Sequence, residues 1–370
     1  MSSVTPTGSR RAYPGNGARF DCALVYFLRG LSASFQAAIP SAMSLIREIR
    51  LPNGRLTKNL GFGCAGLLRL PTQWQREKLL RTALDAGITH FDVARMYGAG
   101  AAEGILGSCL KGRLDRATVA TKFGFPCGVP TRRQVAIQSA ARWVANWHPA
   151  VKKIFKRSSA PAGDRHYDYS VGEMERSLAT SLKELRVERL DLFFIHEPRA
   201  ADRVPEDLGE ALRLLKKKGD IGAFGLSALP DDLAYFFRER PELRGEAVQY
   251  PFLRADASLP PIPAEMYAGA FHVLAGPLGV VAQHVERDTS FARTWSEKLG
   301  LDLRRRESLA LSLLAVSLNA RPEGMTLFFT SKASRIRQIT KGLASHSFTS
   351  EVLSALRLEL VRIIAANHAM

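Results

Sequence analysis

Between Lys58 and Leu343 short apolar runs alternate with amphipathic stretches of helical period, and this alternation limits the possible folds more than any single motif does. The runs are Lys58–Phe62, Thr89–Val93, Thr118–Lys122, Asp191–His196, Ile221–Ser227, Ala247–Tyr250, His272–Ala275 and Thr326–Thr330. Helical patterns lie between them, at Trp74–Ala86, Ala102–Leu110, Pro205–Lys218, Asp231–Arg240, Ser308–Leu318 and Ser334–Leu343. A further helix is marked by Met174, Leu178, Leu182 and Leu185 on one face. Parallel strands need crossover helices, and a ring of eight strands leaves no unpaired edge. The expected fold class is therefore α/β, a (β/α)8 TIM barrel. Asn53-Gly54, set in the alternating segment Arg47–Leu60, favours a type I′ turn and predicts a β-hairpin before the first barrel strand.

In such a barrel, chemistry is built at the C-terminal ends of the strands. Asp92, Lys122, His196, Ser227, Gln249 and Ser331 fall there, with Tyr97 in the loop just beyond Asp92. These residue types suit proton transfer. A tyrosine of ordinary pKa, roughly 10, is a weak acid at neutral pH, and an adjacent ammonium such as Lys122 would favour its phenolate. Asp92 would hold the lysine, while His196 would hydrogen-bond a carbonyl oxygen as charge develops on it. Gly61-Phe62-Gly63-Cys64-Ala65-Gly66 has the spacing of a dinucleotide-binding loop. Leu67–Pro71 separates it from the next helix, and Asp85 falls inside that helix, so it is not read as one.

The phrases FDVARMYGAGAAEGILG, VATKFG, SLKELRVERLDLFFIHEP and LKKKGDIGAFGLS, in this order, resemble the signature segments of the aldo-keto reductases. The resemblance runs from about Ile46 to Leu343. It implies a barrel that binds NADP, or alternatively NAD, without a Rossmann domain and interconverts an aldehyde or ketone with its alcohol. The family's catalytic tetrad falls by motif on Tyr97, Lys122, Asp92 and His196, and the N-terminal hairpin would close the bottom of the barrel. Ser227 and Gln249 match residues that hold the nicotinamide carboxamide. Ser331, Lys332 and Arg335 match the adenosine-phosphate segment at the start of the last barrel helix, where cations and a helix N-terminus suit the 2′-phosphate of NADP. Two positions depart from the pattern: Ala228 replaces an asparagine, and Ala275 stands where a flat ring is common. These departures motivate a second reading, a weakly catalytic NADP-binding barrel of the regulatory or channel-associated kind.

The formal charge of +17 on 370 residues raises the question of a nucleic-acid partner. Much of the excess lies in the N-terminal segment before Leu56 and between Thr131 and His166, where eight Arg and Lys residues accompany one acid, Asp164. A solvated loop or a neighbour of a cofactor phosphate is the simpler reading, so the expected partner is a small-molecule carbonyl or sugar, not nucleic acid. Residues 1–42 are rich in Ser, Gly, Ala and Arg and lack periodicity, as in a disordered tail, an organelle-targeting segment or an over-long start. The barrel domain is expected over 43–370, with a long basic insertion at about 125–169 after the third strand. The four cysteines lack metal or CxxC spacing and read as free thiols in a reducing, cytoplasmic setting, with no metal site. No run is apolar enough for a transmembrane segment.

Overall fold

The computed structural model describes residues 44–127, 167–253 and 259–368, together with 131, 134 and 137. The N-terminal extension lies outside the described residues, as does nearly all of the basic insertion.

Strands β1 (Glu48–Arg50) and β2 (Leu56–Lys58) form the antiparallel hairpin, with Gly54 at φ +83° in its turn. Eight parallel strands follow: β3 (Leu60–Gly63), β4 (His90–Asp92), β5 (Thr118–Phe123), β6 (Leu190–His196), β7 (Ile221–Ser227), β8 (Ala247–Pro251), β9 (Tyr267–Phe271) and β10 (Met325–Phe328). Pairing of β10 with β3 closes the ring. The outer helices are α1 (Gln73–Asp85), α2 (Ala101–Leu110), α3 (Val171–Leu185), α4 (Leu208–Lys218), α5 (Pro230–Glu239), α6 (Pro277–Arg287), α7 (Thr289–Leu299), α8 (Arg306–Ala320), α9 (Ala333–Ser345) and α10 (Ser350–His368). Among the described residues no helix is long and apolar enough to cross a membrane.

The seventh barrel strand is not His272–Ala275 but Tyr267–Phe271. His272, at φ +56°, begins the turn into α6. The strand carries Ala268, Gly269 and Ala270 because its neighbours fill the interior: a Cβ on Gly269 would lie 3.0 Å from Gln249 Cγ. Small residues remove the β-branched signal by which strands are recognised.

Side chains alternate between the two faces of each strand. Ala120, Leu192, Phe194, Ala223, Ala247, Tyr267, Met325 and Leu327 form the interior cluster, and Ile49 and Leu51 of the hairpin join it from below. Residues of the other parity, such as Val119, Phe193, Ile195 and Val248, belong to the larger core shared with the helices. Two residues beyond Ala120, Phe194 and Ala247 stand Lys122, His196 and Gln249, so the same alternation aims them into the barrel mouth.

The hairpin is tied to the barrel by the Asp191 carboxylate at the base of β6. It accepts hydrogen bonds from Arg55 Nη1 at 3.1 Å, Asn53 Nδ2 at 2.8 Å and the Val119 amide at 2.8 Å. Arg55 also donates to the carbonyls of Leu114 and Ala117, at 3.0 and 2.9 Å. Asp191→Ala leaves these donors without their buried acceptor and is expected to cost about 3 kcal/mol, read as a lowered midpoint in thermal or urea unfolding.

Candidate active site

Four polar side chains are joined by hydrogen bonds at the C-terminal mouth. Lys122 Nζ donates to Asp92 Oδ1 at 2.6 Å and to the Val93 carbonyl at 3.1 Å. The second oxygen of Asp92 accepts from Gln249 Nε2 at 2.7 Å, and Gln249 Oε1 accepts from Ser227 Oγ at 3.1 Å. A continuous chain therefore runs Ser227–Gln249–Asp92–Lys122 across strands β7, β8, β4 and β5, every member buried. Strand stagger makes this possible: Asp92 pairs in register with Ala120, one inward step below Lys122, while His196 pairs with Ser227 and Ser227 with Gln249. An unpaired charge at this depth would be costly, so the lysine and the carboxylate require one another.

Tyr97 lies above this pair. Lys122 Nζ is 5.2 Å from its ring centre, and the His196 ring meets it edge-on with centroids 5.9 Å apart. Its hydroxyl makes no hydrogen bond among the described residues. The phenol is pushed well above the ordinary tyrosine value, first by burial and then by the charges of Asp92 and Glu197. The raised value runs against the expectation of a lowered one, because burial outweighs the Lys122 ammonium, which is paired with Asp92.

The Tyr97 loop is set by backbone and by a second buried ion pair. Gly98, Ala99 and Gly100 take φ values of +63°, +55° and +91°, and a Cβ on Gly98 would meet Leu68 Cδ1 at 2.5 Å. Arg95 Nη1 donates to Glu103 Oε2 at 2.5 Å, and Glu103 Oε1 accepts from Thr121 and Ser181, both at 2.7 Å. Both charges are almost fully enclosed. The network pins the β4–α2 loop to β5, one residue before Lys122, and to α3. Sequence reading missed it, since Glu103 in the first turn of a helix looks like an ordinary surface carboxylate at a helix N-terminus.

Below the mouth, His90 Nδ1 is 2.9 Å from Thr118 Oγ1, and burial holds its pKa down at about 4. It is therefore a neutral core imidazole. Where the insertion returns, Tyr169 donates to the His196 carbonyl at 2.9 Å and the Asp168 amide to the Gly124 carbonyl at 2.9 Å.

The cluster opens into a cavity of about 760 Å³. Asp92, Tyr97, Lys122, His196, Ser227, Gln249, Ser331 and Arg335 all contribute to its wall, whereas Lys332 is exposed and does not. Residues not expected from sequence also line it: Arg69, Arg305 and Arg306 on one side, Glu197 beside His196. Around the closed ring, the arginine side belongs to the β9–β10–β3 arc, and β6, which carries Glu197, lies opposite. Two wall residues, Glu197 and His272, take left-handed backbone at φ +50° and +56°, a conformation that costs non-glycine residues roughly 1–3 kcal/mol and concentrates at functional sites. Among the described residues no group of three His, Cys, Asp or Glu is placed to hold a metal ion.

Fold and site together define a (β/α)8 barrel with a cavity at the C-terminal ends of its strands and a buried lysine–carboxylate pair in its wall. The profile of the aldo/keto reductase family matches residues 59–252, about half of the chain, and the chain belongs to that family. Among curated proteins, it is 30% identical over 196 residues to an aldo-keto reductase of Glycine max, covering 51% of this chain and 47% of that one. It is 27% identical over 225 residues to a D-threo-aldose 1-dehydrogenase of a Pseudomonas species, covering 55% and 61%. The chain thus spans about half the length of the curated relatives it matches. Among solved structures, an aldo-keto reductase of Klebsiella pneumoniae in complex with NADPH aligns with a TM-score of 0.57 at 18% identity, covering 85% of this chain and 95% of that one. The glycerol dehydrogenase of Gluconobacter oxydans aligns with a TM-score of 0.59 at 20% identity, covering 87% and 95%. At these identities the structural matches speak to the fold.

Glu103→Ala would leave the Arg95 guanidinium buried without its carboxylate. The expected loss is about 3–5 kcal/mol, measured by denaturant unfolding, with Glu103→Gln losing less because an amide oxygen still accepts from Thr121 and Ser181.

Proposed function

We propose that the protein is an NADP-dependent oxidoreductase that interconverts an aldehyde or ketone with its alcohol, with Tyr97 as the proton donor and acceptor. The observation that carries this reading is the compensated Lys122–Asp92 pair set beneath the phenol of Tyr97, which lines a large cavity and whose hydroxyl makes no hydrogen bond among the described residues. NADP, when bound, supplies or accepts the hydride at the substrate carbon. Everything else falls to the chain's own residues.

The residues fit such a cofactor. Arg69, Arg305, Arg306 and Arg335 rim one side of the cavity, as a polyphosphate requires, and Ser331 stands at the entry to α9. Phe271 and Phe329 contribute flat rings to the wall, although Ala275 does not. Ser227 and Gln249 reach the wall with capacity left after their mutual bond, and would orient an amide there. The Klebsiella relative in complex with NADPH has the same barrel.

In reduction, a carbonyl oxygen seated between Tyr97 and His196 gains negative charge. Tyr97 donates its proton to that oxygen, and His196 stabilises it by hydrogen bonding. Lys122 stabilises the tyrosinate left behind, held at the correct depth by Asp92, and the Gln249–Ser227 chain holds Asp92. Asp92, Lys122, His196 and Gln249 are buried, which strengthens the interactions among them.

Ala228 and Ala275 favour the competing reading of a cofactor-binding barrel with little catalysis. Tight NADPH binding with no turnover across a broad aldehyde and ketone panel would decide for it. On the catalytic reading, Tyr97→Phe lowers carbonyl reduction by at least about 100-fold while NADPH binding, followed by fluorescence, stays within a few-fold of the parent. Full turnover by that variant would overturn the mechanism. Because the Tyr97 pKa is raised, the acid form persists at alkaline pH. The kcat/KM profile for reduction should therefore show no loss from this group below about pH 9.

A further inference from the structure

Glu197 follows His196 at the end of β6 and lines the cavity on the side opposite the arginine arc. Its backbone is left-handed, at φ +50°, immediately before Pro198, and its amide donates to the Ser227 carbonyl at 2.7 Å. The side chain is held as well: Tyr167 donates to Glu197 Oε2 at 2.9 Å. Tyr167 is itself stacked on Tyr169, with centroids 5.8 Å apart, and overlaid by Arg199 at 5.6 Å. Arg199 is paired with Asp202 at 2.8 Å, and Glu197 forms no ion pair among the described residues. Glu197 is exposed, and its carboxylate is held at the cavity wall by the Tyr167 hydroxyl alone, with no ion pair among the described residues. Its field reaches the phenol of Tyr97.

We propose that Glu197 selects the substrate: the end of the cavity beside Tyr97 and His196 takes an uncharged carbonyl compound bearing a hydroxyl close to the reacting carbon, and rejects one bearing a carboxylate. This rests on the carbonyl-reduction reading given above. A hydroxyl donates to Oε1 in a charge-assisted hydrogen bond, whereas a carboxylate at the same place meets like charge with no donor to replace the water it loses. The cavity is then polar in sign along its length. Its arginine side suits the phosphates of a dinucleotide, and its β6 side suits a polyhydroxylated neutral molecule.

The test uses the full-length protein with NADPH and a pair of probes that differ by one carboxylate, xylitol and xylonate, with binding followed by calorimetry or saturation-transfer NMR. The parent should bind xylitol about ten-fold or more tighter than xylonate, and Glu197→Gln should bring the ratio near one. Tyr167→Phe, which removes the clamp but keeps the carboxylate, should lower the ratio in the same direction. Equal binding of the two probes by the parent overturns the proposal. So does failure of the parent to bind xylitol, or an unchanged ratio in folded Glu197→Gln. Because the readout is binding, it holds whether or not a carbonyl is turned over. Absence of turnover alone counts against the catalytic reading, and an unmoved ratio counts against Glu197.

Discussion

The buried ion pair between Lys122 and Asp92 is the constraint on which the mouth of this barrel depends. Two opposite charges enclosed together at 2.6 Å are tolerable only because each is otherwise satisfied, the ammonium by the Val93 carbonyl and the carboxylate by Gln249. That requirement couples strands that are not adjacent, since β4 and β8 meet across the interior. It also bears on Tyr97: the lysine beneath the phenol is paired, and burial, the largest cause, pushes the phenol above its ordinary value.

The two ends of the barrel divide the work. At the bottom, Ile49 and Leu51 fill the interior and Asp191 gathers donors from the hairpin and from β5, so charge there serves closure. At the top, charge is arranged by side: arginines on the β9–β10–β3 arc, a compensated pair at the centre, and after β6 the Glu197 carboxylate, which forms no ion pair among the described residues. The loop that carries Tyr97 cannot adjust freely between these parts. Its left-handed run at 98–100 and the enclosed Arg95–Glu103 pair hold it, so the phenol is presented by rigid surroundings.

Much of the fold was legible in the sequence because strand and helix periods differ and each helix covers one strand gap. The barrel class, the hairpin at Asn53-Gly54 and seven of the eight barrel strands follow from that. The strand Tyr267–Phe271 was not legible, because close packing against Gln249 selects small residues that carry no strand signal. At the site, Asp92, Lys122, His196, Ser227 and Gln249 were recognisable as strand-end polar residues and Tyr97 as a loop residue just beyond, and the structure brings them to one cavity. Glu103, Glu197 and the arginines at 69, 305 and 306 were not, since only the closed barrel encloses Glu103 and brings the others to the cavity wall.

By itself, then, the sequence determined the alternation that closes eight strands into a ring, and with it which residues stand at the strand ends. A period of two along a strand and the C-terminal position are local properties, readable without coordinates. Only the tertiary structure decided which charges are paired and which remain open. Lys122 is compensated by a carboxylate 30 positions earlier, Gln249 reaches across the ring to the same group, and Glu197 has no cation paired to it among the described residues. Pairing depends on strand stagger and enclosure, which are fixed when the barrel closes and leave no trace in any one segment.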